Sequence, residues 1–338
     1  MKKIFTLFCF ALVGISLNAQ SEIDSLVDMG IELHDNGQFE WAIDVYKKAL
    51  ALEPNSPLVN YEIALTYMST KEYDKAIKHS NAVIENNTDN LLQAYMLKAS
   101  CMDYLGKPKE AVKMYQKAIR KYGDHYLLSY NLGYTYYNMS DEENAEKWLT
   151  DAIEQNPSHA SSHLMLAYLM KDNNQKIKSL LSLHYFLFLE PNSKRSFDAF
   201  DLLIKQFSGN VEKEKVNPNQ INIMLNGTSL ENEFGGVELM ISLLEASKTI
   251  EENKNKTKEE MFIEHTSSFF KMLGELNRKK KKGLYWDYYI PFFNEVANSE
   301  HIDAYCYYIS QSSNGNAEVW LSNNTDKIDK FSKWLQRE

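Results

Sequence analysis

Catalytic signatures are missing from this sequence. No His-Glu-x-x-His pair, phosphate-cradling glycine-rich loop, Gly-x-Ser-x-Gly elbow or Cys-x-x-Cys pair occurs, so nothing marks a zinc hydrolase, a nucleotide hydrolase, a serine hydrolase or a dithiol oxidoreductase. The histidines are scattered without ligand spacing, and no catalytic residue, cofactor or metal site is expected. Positive charge is also short, with 37 Lys and Arg against 46 Asp and Glu. Binding a phosphate backbone requires basic surface, so nucleic acid is not an expected partner. The longest apolar run, Ile4 to Leu17, is too short for a membrane span.

That run follows Lys2 and Lys3 and precedes Asn18-Ala19-Gln20, the layout of a secretory signal. We read residues 1–19 as a signal peptide cleaved after Ala19, which makes the chain exported, periplasmic or secreted, with no stable membrane span after cleavage. Removing Lys2 and Lys3 moves the formal net charge from -9 to -11 (35 basic against 46 acidic). Cys9 leaves with the signal and lacks a lipoprotein context. Cys101 and Cys306 remain; they fall in different expected domains, and Cys101 is read as a packed free thiol.

What the sequence does contain is a period. From Ser129 to Pro157 it carries Asn-Leu-Gly-x-x-Tyr, then Ala145, Ala152 and Pro157. Stepping by 34 residues from Ala145 reaches Ala111 and, with one extra residue, Ala76 and Ala42; forward it reaches Ser179. Units beginning at Ile23, Pro57, Leu92, Tyr126 and Ala160 then share a small residue at Gly30, Ala64, Ala99, Gly133 and Ala167. A bulky residue follows three later at Leu33, Tyr67, Met102, Tyr136 and Met170. Pro54, Pro157 and Pro191 close three units, where proline cannot continue a helix. The fifth unit diverges most: Ser179 and Phe186 replace its alanines, as suits an end unit that caps a stack or meets another domain.

This spacing resembles the tetratricopeptide repeat, a 34-residue helix-turn-helix unit. The resemblance implies an all-α fold: a helical-repeat solenoid of about five repeats over 20–193, followed by a helical C-terminal domain. It further implies a right-handed array whose concave groove is lined by the second, fifth, ninth, twelfth and thirteenth positions of each unit. The lysines and asparagines that clamp a peptide's terminal carboxylate in some members are absent from the fifth and ninth positions here. Aromatic and methionine side chains occupy the groove instead, and the candidate peptide-binding residues are Tyr61, Met68, Met96, Tyr104, Tyr130, Tyr134, Tyr137, Asn138 and Tyr168. Tyr134 and Tyr168, at the ninth position, depart most from the usual polar residue, and Asn131, Asn138 and Asp103 are the polar neighbours that would add specificity. The implied partner is a protein or peptide. The competing reading is that the tyrosines are packing residues common to such repeats.

Beyond Ser193 the rhythm is lost. Residues 194–234 are read as a capping helix and linker, with a short extended stretch from Ile221 to Leu225 and a turn at Asn226-Gly227. Residues 235–338 are read as an aromatic-rich helical domain. It contains an amphipathic helix from Lys258 to Arg278 ending in a basic run, and a buried helical hairpin over Leu284 to Ile309 in which Pro291 kinks or begins a helix. Its aromatic tail resembles those of exported repeat proteins of Bacteroidota-like bacteria, which implies no activity. Two alternatives stand beside a non-enzymatic binding scaffold. The C-terminal domain is an unrecognised enzyme or ligand sensor with an ionisable pocket at His301 or Glu295, or residues 210–234 fill the groove near Tyr134.

Overall fold

The computed structural model describes residues 21–86, 91–208, 211–213, 221–223, 233–248, 253, 255–276 and 281–336. The expected signal peptide, Cys9, the Asn226-Gly227 turn and most of the 210–234 segment lie outside them. The chain forms two compact units, one ending at Ala145 and the other beginning at Glu146.

The first unit is a series of helical hairpins. Helix α1 (21–35) turns into α2 (Phe39–Leu52), followed by α3 (Pro57–Ser69), α4 (Tyr73–Asn86), α5 (Leu91–Tyr104), α6 (Pro108–Tyr122), α7 (Tyr126–Asn138) and the start of α8 (Glu142–Gln155). From α2 to α7 each helix packs on the next, and α5 also touches α3 and α7, so first helices of successive hairpins adjoin. The small positions are where helices meet. A Cβ built on Gly30 would lie 2.3 Å from Cε1 of Tyr46, and Ala64, Ala99, Ala76 and Ala111 have no exposed surface. Large side chains fill the layers between them: Tyr46, Ile63, Tyr115 and Leu128 are at most 1% exposed. Burying each contributes roughly 1.5–3 kcal/mol of transfer free energy.

A backbone device closes every hairpin. Gly37, Lys71, Gly106, Ser140 and Asn174 all have left-handed φ, from +55° to +74°. In each case the following N–H reaches back to the carbonyl of the bulky repeat residue: Gln38 to Leu33, Glu72 to Tyr67, Lys107 to Met102, Asp141 to Tyr136 and Gln175 to Met170, at 2.8–3.0 Å. This is the six-to-one bond that satisfies a helix's last carbonyls. Two of the five positions carry the glycine this conformation favours, and three carry a side chain at a steric cost.

The second unit holds the rest of α8, then α9 (Ala160–Asp172), α10 (Lys176–Leu189) and α11 (Lys194–Ser208). A two-stranded antiparallel hairpin follows, β1 (Val211–Lys213) against β2 (Ile221–Ile223), with Val211 opposite Ile223. β2 falls in the expected extended stretch, whereas β1 lies inside the segment read as a linker. Then come α12 (Gly235–Ser247), α13 (Lys258–Leu276), α14 (Ile290–Asn298), α15 (Ile302–Ser310), α16 (Gly315–Asn323) and α17 (Thr325–Leu335). Among the described residues no helix is long and apolar enough to cross a membrane.

Helix α10 organises this unit. Every residue from Ser179 to Leu187 is buried, so it has no solvent-facing stripe. It packs on α9, α11, α12, α15 and the π-helical turn Tyr285–Tyr289 that leads into α14. The compact unit therefore begins upstream of residue 193, the point where the sequence period stops. Pro291 accounts for the π-turn: it has no N–H to give, and the bond before it runs from Ile290 N–H to Tyr285 C=O, five residues back. The wide turn directs Trp286 flat onto Phe234, 4.9 Å between ring centroids, and Tyr289 onto His163.

Candidate functional site

In the first unit the face of first helices gathers part of the expected groove set. Tyr104 is 56% exposed and stacks on Tyr73 of α4, 5.2 Å between centroids. Its phenol is pushed above the ordinary range by partial burial and then by its neighbours Tyr134, Tyr73 and Asp103. Asp103 accepts hydrogen bonds from Thr135 Oγ1 at 3.1 Å and Asn138 Nδ2 at 3.4 Å, tying α5 to α7. Asn138 and Tyr104 thus adjoin the Asp103 carboxylate, and Tyr134 adjoins Tyr104. Thr135 and Tyr73 belong to this cluster and were not legible in the sequence, because Tyr73 comes from a second helix and Thr135 sits at a packing position.

The remaining candidates divide. Tyr61 and Met68 are half-buried against the core of the first hairpins, alongside Ile63 and Tyr67. Met96, Tyr130 and Tyr137 are half-buried on α5 and α7. Asn131 spends its amide on the Leu127 carbonyl at 2.8 Å within its own helix. Tyr168 stands on α9 in the second unit, half-buried, its phenol raised by burial and by Asp198. Elsewhere in the first unit, Glu62 is raised by burial and by Asp35, which places two carboxylates near each other. His34 Nδ1 lies 2.8 Å from Thr66 Oγ1.

The second unit contains two buried histidine clusters. His163 is bracketed by Pro157 C=O, 2.8 Å from Nε2, and by the Tyr289 hydroxyl, 2.6 Å from Nδ1. Burial pushes it down to about 4, so it is neutral, donating from Nε2 and accepting at Nδ1. His184 is enclosed by Phe207, Phe262, Phe269, Phe270, Phe293 and Tyr305, with ring centroids 4.9–6.5 Å away. Its Nδ1 lies 3.1 Å from the Tyr305 hydroxyl, and its Nε2 has no hydrogen-bond partner among the described residues.

Among the described residues, His301 and Glu295 do not line the cavity described below. His301 is buried against the rings of Phe331 and Trp334, and Glu295 is exposed on α14. His301 is also not paired with Cys306, because the turn at 299–301 directs the imidazole toward α17 whereas Cys306 lies against Thr266. Cys101 and Cys306 are both buried free thiols, and burial pushes Cys101 up to about 12. Among the described residues no group of three or more His, Cys, Asp or Glu side chains can hold a metal ion. Of the basic run, Lys281 pairs with Glu233 at 3.1 Å and covers the Trp286 ring, and Lys282 lies 3.6 Å from Asp287; residues 278–280 lie outside the described residues.

A cavity of about 640 Å³ does occur elsewhere in this unit, between α11, α12, α13, α15 and the start of α16. Phe200, Ile204 and Phe207 form one wall and Met261, Phe262 and Ile263 another. Its ionisable residues are Glu245, Lys248, Lys258, Glu259 and His265. The volume falls in the range of small-molecule sites. The sequence reading missed it because its residues come from five separate elements; the one available sign was Phe200 and Ile204 recurring on a helix assigned only a capping role.

Comparison with known proteins agrees with the hairpin pattern. Tetratricopeptide repeat family models match residues 33–101 and residues 103–168. The chain is 32% identical to intraflagellar transport protein 70A of Bos taurus over 73 residues, 22% of this chain and 11% of that protein. It is 26% identical to anaphase-promoting complex subunit CDC16 of Saccharomyces cerevisiae over 165 residues, 49% of this chain and 16% of that protein. A solved thermophilic TPR protein of Thermus thermophilus aligns over 54% of this chain and 98% of its own, with 18% identity and a TM-score of 0.47. The chain spans about a tenth of the length of the first of these curated relatives. The fold is thus a tetratricopeptide-type array of helical hairpins followed by further helices, and repeats of this type are protein- and peptide-binding elements.

Proposed function

We propose that this chain is an exported, non-enzymatic scaffold whose first unit binds a protein or peptide through the face of α3, α5 and α7. The observation that carries the reading is the open aromatic cluster around Asp103. Tyr104 leaves more than half of its surface exposed and is fixed by its stack on Tyr73. A rigid aromatic anchor with little conformational freedom left to lose is what binding surfaces use for affinity. Asp103, held between Thr135 and Asn138, sets an acidic acceptor beside it. The partner that fits is a peptide or helix presenting an apolar side chain to Tyr104 and Tyr134, with a donor or cation next to it. Tyr168, on α9 of the second unit, is a separate candidate tested beside them. Export rests on the signal-like Lys2 to Ala19 segment and puts the partner in the periplasm or outside the cell.

The test is cross-linking with mass spectrometry in the native cell, comparing the natural chain with Tyr104→Ala/Tyr134→Ala and with Tyr134→Ala/Tyr168→Ala. Each variant is expected to keep its helical circular dichroism and lose most of the cross-linked partner. Capture by both variants at the natural level removes the groove from the function.

A further inference from the structure

We infer that the cavity of the second unit is a binding site for an uncharged, mainly apolar small molecule carrying one hydrogen-bonding group. The site is separate from the repeat face, and its walls define the ligand. One side is aromatic and aliphatic, with Phe200 and Phe262 edge to face at 5.3 Å and Ile204 at the rim, 36% exposed. Opposite polar groups close the two ends. Along α13, His265 stands six residues beyond Glu259, about 9 Å at the rise of a helix, which fits a molecule a few rings or an acyl segment long.

The charges at both ends are already answered. At the inner end Lys248 Nζ lies 2.7 Å from one Glu245 oxygen and 2.8 Å from the other. At the outer end Glu259 Oε1 accepts from Asn314 Nδ2 and Asn316 Nδ2, both at 3.0 Å, which holds its carboxyl below the usual range. Lys258, on the first turn of α13, is exposed and stays solvated at the cavity's mouth; a charged group placed deeper would lose water without gaining a free counter-charge. An uncharged one avoids that cost. His265, 3.9 Å from Glu245 through Nδ1, is kept neutral by burial and by Lys248. A neutral imidazole offers both a donor and an acceptor, which suits a hydroxyl, carbonyl or amide head.

The full-length mature chain is titrated with N-phenyl-1-naphthylamine, a neutral apolar fluorophore, and the bound probe is then competed with decanol or decanoate. Saturable one-to-one binding is expected, with decanol displacing the probe about tenfold more effectively than decanoate. Ile204→Trp and, independently, Ile263→Trp place an indole in the cavity. Each is expected to weaken the probe about tenfold while circular dichroism and the thermal midpoint stay in place. Tyr134→Ala/Tyr168→Ala is expected to bind the probe as the natural chain does, which separates this site from the groove. Non-saturable binding, or unchanged affinity in a folded Trp variant, overturns the site. Equal displacement by decanoate overturns the assignment of an uncharged ligand.

Discussion

Acid should loosen the second unit through His184, and the size of the effect follows from its surroundings. His184 has no exposed surface, and burial alone pushes its pKa down to about 3 from 6.5. A histidine lowered on folding binds its proton more tightly in the unfolded chain. The unfolded state therefore gains protons as pH falls below 6.5, and stability declines until the folded pKa is reached. At pH 4.5 the folded imidazole is still neutral while the unfolded one is charged, a loss of about 2–3 kcal/mol relative to pH 7.5 or above. His163, pushed down to about 4, adds a loss of similar size over the same interval. His184→Phe isolates the first contribution. The Tyr305 hydroxyl keeps an acceptor in the His184 main-chain carbonyl at 3.3 Å, and the ring cage accepts another ring. Urea unfolding of the full chain, followed by tryptophan fluorescence at pH 7.5 and 4.5, provides the measurement; Trp148, Trp286, Trp320 and Trp334 all report on this unit. The variant should match or exceed the natural chain at pH 7.5 and exceed it by a further 2–3 kcal/mol or so at pH 4.5. Parallel losses in the two proteins would refute the argument.

Three further substitutions test the repeat architecture. Gly30→Ala places its Cβ 2.3 Å from the Tyr46 ring, which is wholly buried; a cost of about 1–3 kcal/mol is expected from urea midpoints, and a neutral result would mean the first hairpin packs less tightly than described. Lys71→Gly relieves a left-handed residue at φ +63° and should stabilise by up to about 1 kcal/mol, whereas Gly106→Ala, at φ +74° with open space around it, should destabilise by a similar amount. Opposite signs at two equivalent turns are the observation to look for.

The hairpins were legible in the sequence because their determinants are local and periodic. Small residues at Gly30, Ala64 and Ala99, and bulky ones three positions later, recur wherever one helix crosses its neighbour, and each unit repeats the same problem. The hairpin turns were less legible because their requirement is a backbone angle: Gly37 and Gly106 advertise it, whereas Lys71, Ser140 and Asn174 adopt it without the usual residue. The candidate site was only partly legible. Position within the repeat nominated Tyr104, Tyr134 and Asn138, which lie near one another, and equally Tyr61 and Met68, which are partly buried against the core of the first hairpins. It could not supply Tyr73 or Thr135, whose roles depend on contacts between helices. The cavity of the second unit lies further from sequence reach, since no two of its walls share a local pattern.

The fifth hairpin shows why a repeat code changes where its neighbour changes. Its anchor is Ser179 in place of alanine, and the hydroxyl donates to Ala167 C=O at 2.8 Å, the backbone of the small position on the paired helix. Gln206 of α11 then donates to the same oxygen at 2.9 Å. Alanine would allow the same close approach but would remove this acceptor from the half-buried Gln206 amide, a loss of about 0.5–1.5 kcal/mol for one hydrogen bond. Phe186 occupies the later alanine position fully buried, with the Arg195 guanidinium 5.4 Å over its ring. Both departures serve α11, the first helix outside the 34-residue period. With α10 buried all round, its solvent-facing stripe has been given over to the helices that follow. Divergence at Ser179 and Phe186 thus marks where the packing partner ceases to be another repeat and becomes the helical core of the second unit.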